Sequence, residues 1–464
     1  MKSITIAALL VLFAQMALCQ EWRSLNDVVF QENTAIRTFD PIGDSLFLGG
    51  SINLVNGVAS IGSIYWDSLQ VSVYSPGLDK SFNGGNAYSH EIYNDTLFIG
   101  GDFIDVNDIW YTRGIAKWSE GSIWETVGGS CVPTDHVSSL IVFDEYLYAS
   151  HNFTEIGNLE DIYGFARWNG FEWEEVEAVW GFDPGPSVMC IFQDQLWGGG
   201  FLAFTSTMEP VNNVAYFDGE QWHDPNGGMG GRVVDLLPDE DEGVIYVVGN
   251  GTTAQNGEVS CPNNVCYYDG SNWHSVGEFN DIDGNVACIA KYRDQLYVGG
   301  WFEVDGISYK LAYFDGYHWQ PVPDAGELDG WVYDLEVYKD ELYVGGSFSD
   351  IADLGVKGVA RYYLDPDSVT WGEPDSTINV VEQFYETTEV NLFPNPASQT
   401  VSIEANHSVS EITITNARGQ SVMHQLCSGQ SAVLNIAELH TGVYTVVVSF
   451  RDQYAVVRKR LVVK

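Results

Sequence analysis

Seven times between residues 46 and 346 the chain passes through a short apolar run that ends on small residues. The first four runs are Leu46-Phe47-Leu48-Gly49-Gly50, Leu97-Phe98-Ile99-Gly100-Gly101, Leu147-Tyr148-Ala149-Ser150 and Leu196-Trp197-Gly198-Gly199-Gly200. The last three are Ile245-Tyr246-Val247-Val248-Gly249, Leu296-Tyr297-Val298-Gly299-Gly300 and Leu342-Tyr343-Val344-Gly345-Gly346. Their starts lie 46 to 51 residues apart, which defines a repeat of about 49 residues. Later in most units a second apolar stretch leads through Asn-Gly or Asp-Gly to a tryptophan. Examples are Phe165 to Trp168 with Asn169-Gly170 and Trp173, and Val214 to Phe217 with Asp218-Gly219 and Trp222. Apolar stretches on either side of such a pair predict a β-hairpin. In the seventh unit the pattern predicts strands over Val332 to Val337, Leu342 to Gly346 and Gly358 to Tyr363, with a fourth beginning at the unit's tryptophan.

Four short antiparallel strands recurring every 49 residues or so describe a β-propeller blade, each blade burying both faces against its neighbours. The expectation is an all-β chain, with a seven-bladed β-propeller over residues 20–376. Glu21-Trp22-Arg23-Ser24-Leu25 looks like an outer strand standing before the first inner one. It is expected to join the last blade, which leaves Trp371 in the segment that follows; the alternative puts Trp371 in the seventh blade and Trp22 on the rim. The apolar run ending in Gly-Gly, then Tyr313, then Trp319, resembles the kelch-type repeat of galactose-oxidase-like propellers across residues 20–376. The third and fifth units lose one or both glycines, so the resemblance implies the architecture and no particular enzyme.

The N-terminus reads as an address. Lys2 precedes an apolar run from Ile4 to Leu18 that is too short to span a bilayer, the pattern of a secretory signal peptide over residues 1–19. Cleavage after Cys19 would leave Gln20 as the first mature residue, and no later segment is apolar and long enough to cross a membrane. Export permits disulfides. Of the six cysteines that remain, Cys261 and Cys266 bracket the turn-rich Pro262-Asn263-Asn264-Val265 and form the best candidate bridge. The others are too far apart in sequence to pair by inspection, and none has zinc-site spacing.

Charge narrows the partners. The 64 acidic and 20 basic residues leave a net charge of −44, which disfavours nucleic acid and anionic membrane surfaces. The balance breaks near the end: residues 373–389 hold five acids and no base, and from Val390 onward four acids face six bases. This step predicts a linker over residues 377–389 and a separate small β-sandwich over residues 390–464, where period-two alternation returns at Thr400 to Ile403, Ile412 to Thr415 and Thr445 to Val448. Its landmarks are Leu392-Phe393-Pro394-Asn395-Pro396-Ala397, Ile414-Thr415-Asn416-Ala417-Arg418-Gly419, Leu434-Asn435-Ile436-Ala437-Glu438-Leu439, Thr441-Gly442-Val443-Tyr444 and a basic end from Arg458 to Lys464. In order and spacing they resemble the C-terminal sorting domain of the type IX secretion system, with Asn416 where the family usually has Asp. The resemblance implies cargo of a Gram-negative bacterium, recognised by the secretion machinery through residues 390–464 and then released or displayed at the outer cell surface.

Chemistry is harder to find. Aligning the inner strands places Thr38, Ser89, Ser139, Cys190, Asp235, Cys288 and Asp334 at one depth, a polar ring suited to a water-filled channel, in which Asp235 and Asp334 are the candidate cation holders. His223, His274 and His318 flank the tryptophans of outer strands and read as surface residues. Asp281-Ile282-Asp283-Gly284-Asn285 alternates oxygens as calcium loops do, but its glycine stands fourth and Tyr292 takes the twelfth place, so a turn between repeats is expected. Calcium remains possible; no other cofactor is implied. Zinc-helix, serine-elbow and phosphate-loop motifs are missing from the sequence. The favoured function is a binding or adhesion module for a glycan or protein, more a binder than an enzyme. The alternatives are an extracellular carbohydrate-active hydrolase or lyase working at the channel mouth, and a structural surface protein.

Overall fold

The computed structural model describes residues 20–364 and 390–463, except 26–27, 32, 53, 61, 69, 74–84, 104–105, 107–111, 120–122, 130–135, 278, 395–396, 416–420, 438, 440–441 and 451–455. The expected leader with Cys19, the linker, Cys131, Trp371 and parts of the sorting landmarks lie outside these residues. The chain divides into two compact units, residues 1–374 and 375–464.

In the first unit the described residues form seven four-stranded antiparallel sheets. Their inner strands are Ala35–Ile42, Ala87–Tyr93, His136–Phe143, Val188–Phe192, Val233–Asp239, Ile282–Tyr292 and Val332–Tyr338. Each inner strand packs beside that of the next sheet, and the seventh packs beside the first. The six sheets that follow this order along the chain each end on an outer strand of their own. The seventh takes its outer strand from the front of the chain: Gln20–Arg23 pairs with Val359–Leu364, with Gln20 opposite Leu364 and Trp22 opposite Tyr362.

The repeat residues explain this arrangement. A methyl group on Gly299 would sit 2.3 Å from Val332 of the next inner strand, and one on Gly300 would sit 2.1 Å from the Asn285 carbonyl across its own sheet. The first glycine of the pair therefore lets the neighbouring sheet approach, and the second fits a β-bulge. The bulge recurs in six of the seven sheets, where one residue of the inner strand is left without a partner. In four of the sheets an outer-strand tryptophan ties the sheet to the connection leaving the one before. The Trp173, Trp222 and Trp273 indoles donate to the carbonyls of Val127, Glu177 and Pro225 at 2.8, 3.0 and 2.7 Å. Trp22 donates to Pro323 at 3.0 Å, so it occupies the repeat tryptophan's place in the seventh sheet.

Two expectations need correcting. The fourth hairpin turns between Phe192 and Gln195, through two residues as the first three do, so Val188 opposite Gly199 takes the ring position, and Cys190, opposite Trp197, lies two residues further along at the level of Asp40, Glu91 and Glu336. Ile282 to Asn285 form the start of an inner strand paired with Trp301 to Val304 rather than a turn, because the sixth hairpin extends beyond its bulge.

The described residues of the second unit form five antiparallel strands connected in one pairing network. Strand Thr400–Thr415 buries Val401 and Ile403, then Ile412 and Ile414, and the change of parity falls at irregularities between Glu404 and Glu411. These side chains share a core with Leu434, Ile436, Val446, Val448, Leu461 and Val463.

Candidate functional site

All seven inner strands line one cavity of about 890 Å³ in the first unit. From the residue after each bulge onward, the cavity is acidic. Asp235 accepts the N–H of Leu236 at 2.8 Å and that of Ile289, in the next sheet, at 2.9 Å. Asp334 accepts the N–H of Leu335 at 2.8 Å and that of Phe39, in the first sheet, at 2.6 Å. Glu91 reaches the Val142 N–H in the same manner at 3.3 Å. The free edge of an inner strand carries donors that need partners, and neighbouring carboxylates supply them. Burial pushes the Asp235 carboxyl up to about 7 and that of Glu336 up to about 8. Burial, with the charges of Asp235 and Glu336, also raises Asp334 well above the ordinary carboxyl range. Asp235 and Asp334 thus hold sheets together. Among the described residues no group of three or more His, Cys, Asp or Glu is arranged to hold a metal ion.

Nearby lies a polar chain closed at one end. The Ser63 hydroxyl meets His90 Nε2 at 2.6 Å, and His90 Nδ1 meets Asp40 at 2.7 Å. Ser63 and His90 are buried between the first two sheets, where each satisfies the other, and of the three only Asp40 faces the cavity.

The end where the inner strands begin is different. Bulges re-aim side chains, and here they present Arg37, Tyr88, Ser138 and Tyr333 to the cavity. Ser138 Oγ lies 2.7 Å from His151 Nδ1, and His151 Nε2 is 3.8 Å from Asp183. His151 stands where other units place their second glycine and has a φ of 114°; Gly50, at the same position in the first unit, has 143°. A side chain held in such a conformation is strained, and strain of this kind concentrates at functional sites. The His136 ring packs edge-on against it at 4.8 Å. Burial alone would raise Asp183, but His151, Arg232 and the Phe201 N–H overcome it and hold the carboxyl below its usual range.

Aromatic groups continue outward from this mouth. Arg37 lies over the Tyr333 ring at 4.6 Å, Tyr333 stacks on Trp331 at 6.0 Å, and Trp331 meets Trp301 at 5.6 Å. On another side Phe182 and Phe201, 85% and 45% exposed, pack together at 5.5 Å beside Asp183. None of these mouth residues was singled out by sequence reasoning. The available signal was His151, standing where the repeat wants glycine.

The other candidates lie elsewhere. Cys261 and Cys266 form a disulfide with a Cα–Cα distance of 5.7 Å, and both are buried. His223 and His274 pair with Asp218 and Asp269 of their own hairpin turns at 2.7 and 2.8 Å, and His318 with Asp281 at 3.2 Å. Gln20 begins the closing outer strand.

The second unit identifies itself by family. Residues 391–464 match the family described as the secretion system C-terminal sorting domain. This unit is a sorting domain. Such a domain marks cargo of the type IX secretion system, secreted from or attached to the surface of a Gram-negative cell. Among the described residues no helix is long and apolar enough to cross a membrane. No curated protein matches the chain. Among solved structures it is similar to PorZ of Porphyromonas gingivalis, an essential bacterial surface component of the type IX secretion system. The likeness, at 12% identity over 93% of this chain and 75% of that one, has a TM-score of 0.25 and carries no functional weight. The sorting domain speaks for the route of the chain and not for the chemistry of the first unit.

Proposed function

We propose that the first unit is a seven-bladed, kelch-like β-propeller, delivered across the inner membrane by the leader over residues 1–19, that acts outside the cell as a binding module for a glycan or protein. The repeat period, the seven four-stranded sheets and the packing of the seventh inner strand beside the first support the architecture. One observation carries the binding role. The mouth of the central cavity gathers aromatic faces and hydrogen-bonding groups on rigid strands, whereas the acids deeper inside are committed to holding neighbouring strands. The test is to display the secreted protein against arrays of glycans and extracellular proteins, with and without calcium. A saturable ligand competed away by changes at Tyr333 or Trp331 supports the reading. An empty array in both conditions rejects it and leaves a structural surface role.

The alternative of an extracellular hydrolase has one observation in its favour, the Ser138–His151–Asp183 array. A serine, a histidine base and an orienting carboxylate are the parts of nucleophilic catalysis. Turnover of an array ligand that disappears in Ser138→Ala while binding persists would make the protein an enzyme.

A further inference from the structure

We propose that the cavity mouth takes an acidic oligosaccharide, its sugar rings lying on Trp301 and Trp331 and a carboxylate held by Arg37. The inference rests on the binding-module reading and names its ligand class.

The argument begins with Trp301. An exposed tryptophan is usually adjustable, but this one is fixed from below. The Lys310 ammonium sits 3.7 Å from the Trp301 ring centre, while Lys310 itself is only 3% exposed and donates to the Leu328 carbonyl. With one ring face occupied by a buried cation, the 43% exposure of Trp301 belongs to the opposite face and edges. The result is a flat apolar platform, held in place before any ligand arrives. Trp331 meets it at 5.6 Å, tilted 32°, and Tyr333 stacks parallel to Trp331 at 6.0 Å, so the aromatic rings step from the platform down to the cavity. Flat rings with polar groups at their edges suit a sugar, which has apolar C–H faces and hydroxyl edges. Four side chains in succession from three sheets suit several sugars rather than one.

Charge selects an acidic sugar. The first unit is strongly acidic, and most of its cations are claimed by carboxylates: Arg23 and Arg361 by Glu341, Arg167 by Glu174, Lys291 by Asp239 and Glu242. Arg37 is not. Among the described residues it has no carboxylate partner, its buried Nε has no hydrogen-bond acceptor, and its guanidinium lies on Tyr333 at the end of the aromatic run. Arginine presents a planar fork that matches a carboxylate. In a chain of net charge −44, an arginine left open at a cavity mouth is a place where a ligand can supply the anion.

The test uses the mature full-length protein, with trigalacturonate as probe and maltotriose as the neutral comparison, by isothermal titration. Expected are saturable binding of trigalacturonate, at least ten-fold weaker binding of maltotriose, and a ten-fold or greater loss of trigalacturonate affinity in Arg37→Met and in Trp301→Ala. Both variants should retain the wild-type melting temperature within a few degrees. Trp301→Phe should recover part of the affinity, which a role in folding alone would not produce. Equal binding of the two sugars, or trigalacturonate binding untouched by Arg37→Met, overturns the proposal. So does failure of both sugars to bind. In that case a protein ligand from the arrays that competes at Tyr333 keeps the binding-module reading alive, and empty arrays remove both.

Discussion

Asp235 offers a direct test of how the seven sheets hold together. Its carboxyl spans two inner strands through the Leu236 and Ile289 N–H groups, and burial raises it from 3.8 to about 7. A raised carboxyl is destabilising when charged. The cost begins as pH rises through 3.8, where the unfolded carboxyl ionises, and becomes complete near pH 7, where the folded one follows. At about 1.4 kcal/mol per pH step, the whole effect is about 4 kcal/mol, of which about 3 kcal/mol falls between pH 4.5 and pH 7. Asp235→Asn cannot ionise, but it keeps only one acceptor oxygen for the two N–H groups, a loss of about 1–2 kcal/mol. The variant should therefore be less stable than the wild type at pH 4.5 and equal or more stable at pH 8. Removing this charge also relieves Asp334, which acts in the same direction. Urea unfolding followed by tryptophan fluorescence measures this, because all fifteen tryptophans lie between residues 22 and 371 and report on the first unit alone. A constant difference between the two proteins from pH 4.5 to pH 8 would refute the assignment of Asp235 as a buried, charge-averse link.

Three further outcomes follow from the same structure. Trp22→Ala removes a buried ring and its bond to Pro323, so the first unit should lose about 3–5 kcal/mol in the same fluorescence assay, far more than any exposed residue of the closing strand. Cys261→Ser with Cys266→Ser opens a five-residue separation, and the chain-entropy argument gives a loss of about 2 kcal/mol, read as a lower melting temperature that reducing agent reproduces in the wild type. Deleting residues 391–464 should abolish appearance outside the cell while the first unit accumulates behind the outer membrane, checked by fractionation and immunoblot.

The strand order was largely legible because its determinants are local and repeated. The Gly-Gly pairs, the Asp-Gly hairpins and the tryptophans recur at fixed spacing, and Trp22 could be recognised as a repeat tryptophan out of sequence order. Register was less legible. Cys190 was placed two residues wrong because its placement allowed the fourth hairpin turn a different length, whereas Phe192 pairs with Gln195 across the same two-residue turn its neighbours use. The mouth was the least legible part. Arg37, Tyr88, Ser138 and Tyr333 are bulge residues, and strict alternation assigns a bulge residue to the wrong face. His151 meets Ser138 across one hairpin, opposite Val137, but Trp301 and Asp183 come from other parts of the chain, so only the packing of successive sheets brings them to the mouth. The acids singled out in the sequence were found in the cavity, but bonded to backbone N–H groups that no sequence pattern displays.

The pairing of Gln20 with Leu364 makes the two ends of the first unit unequal under proteolysis. At the front, the expected cleavage after Cys19 would leave Gln20, already paired in the closing strand, as the first residue, and a cut three residues later would take Trp22 with it. At the back, every described strand of the seventh sheet ends by Leu364, while the sorting domain starts at residue 391. A cut between those two points therefore leaves all the described strands of the seventh sheet on the first unit. Losing the sorting domain would spare the sheet that closes the first unit, whereas over-trimming at the front would take its outer strand.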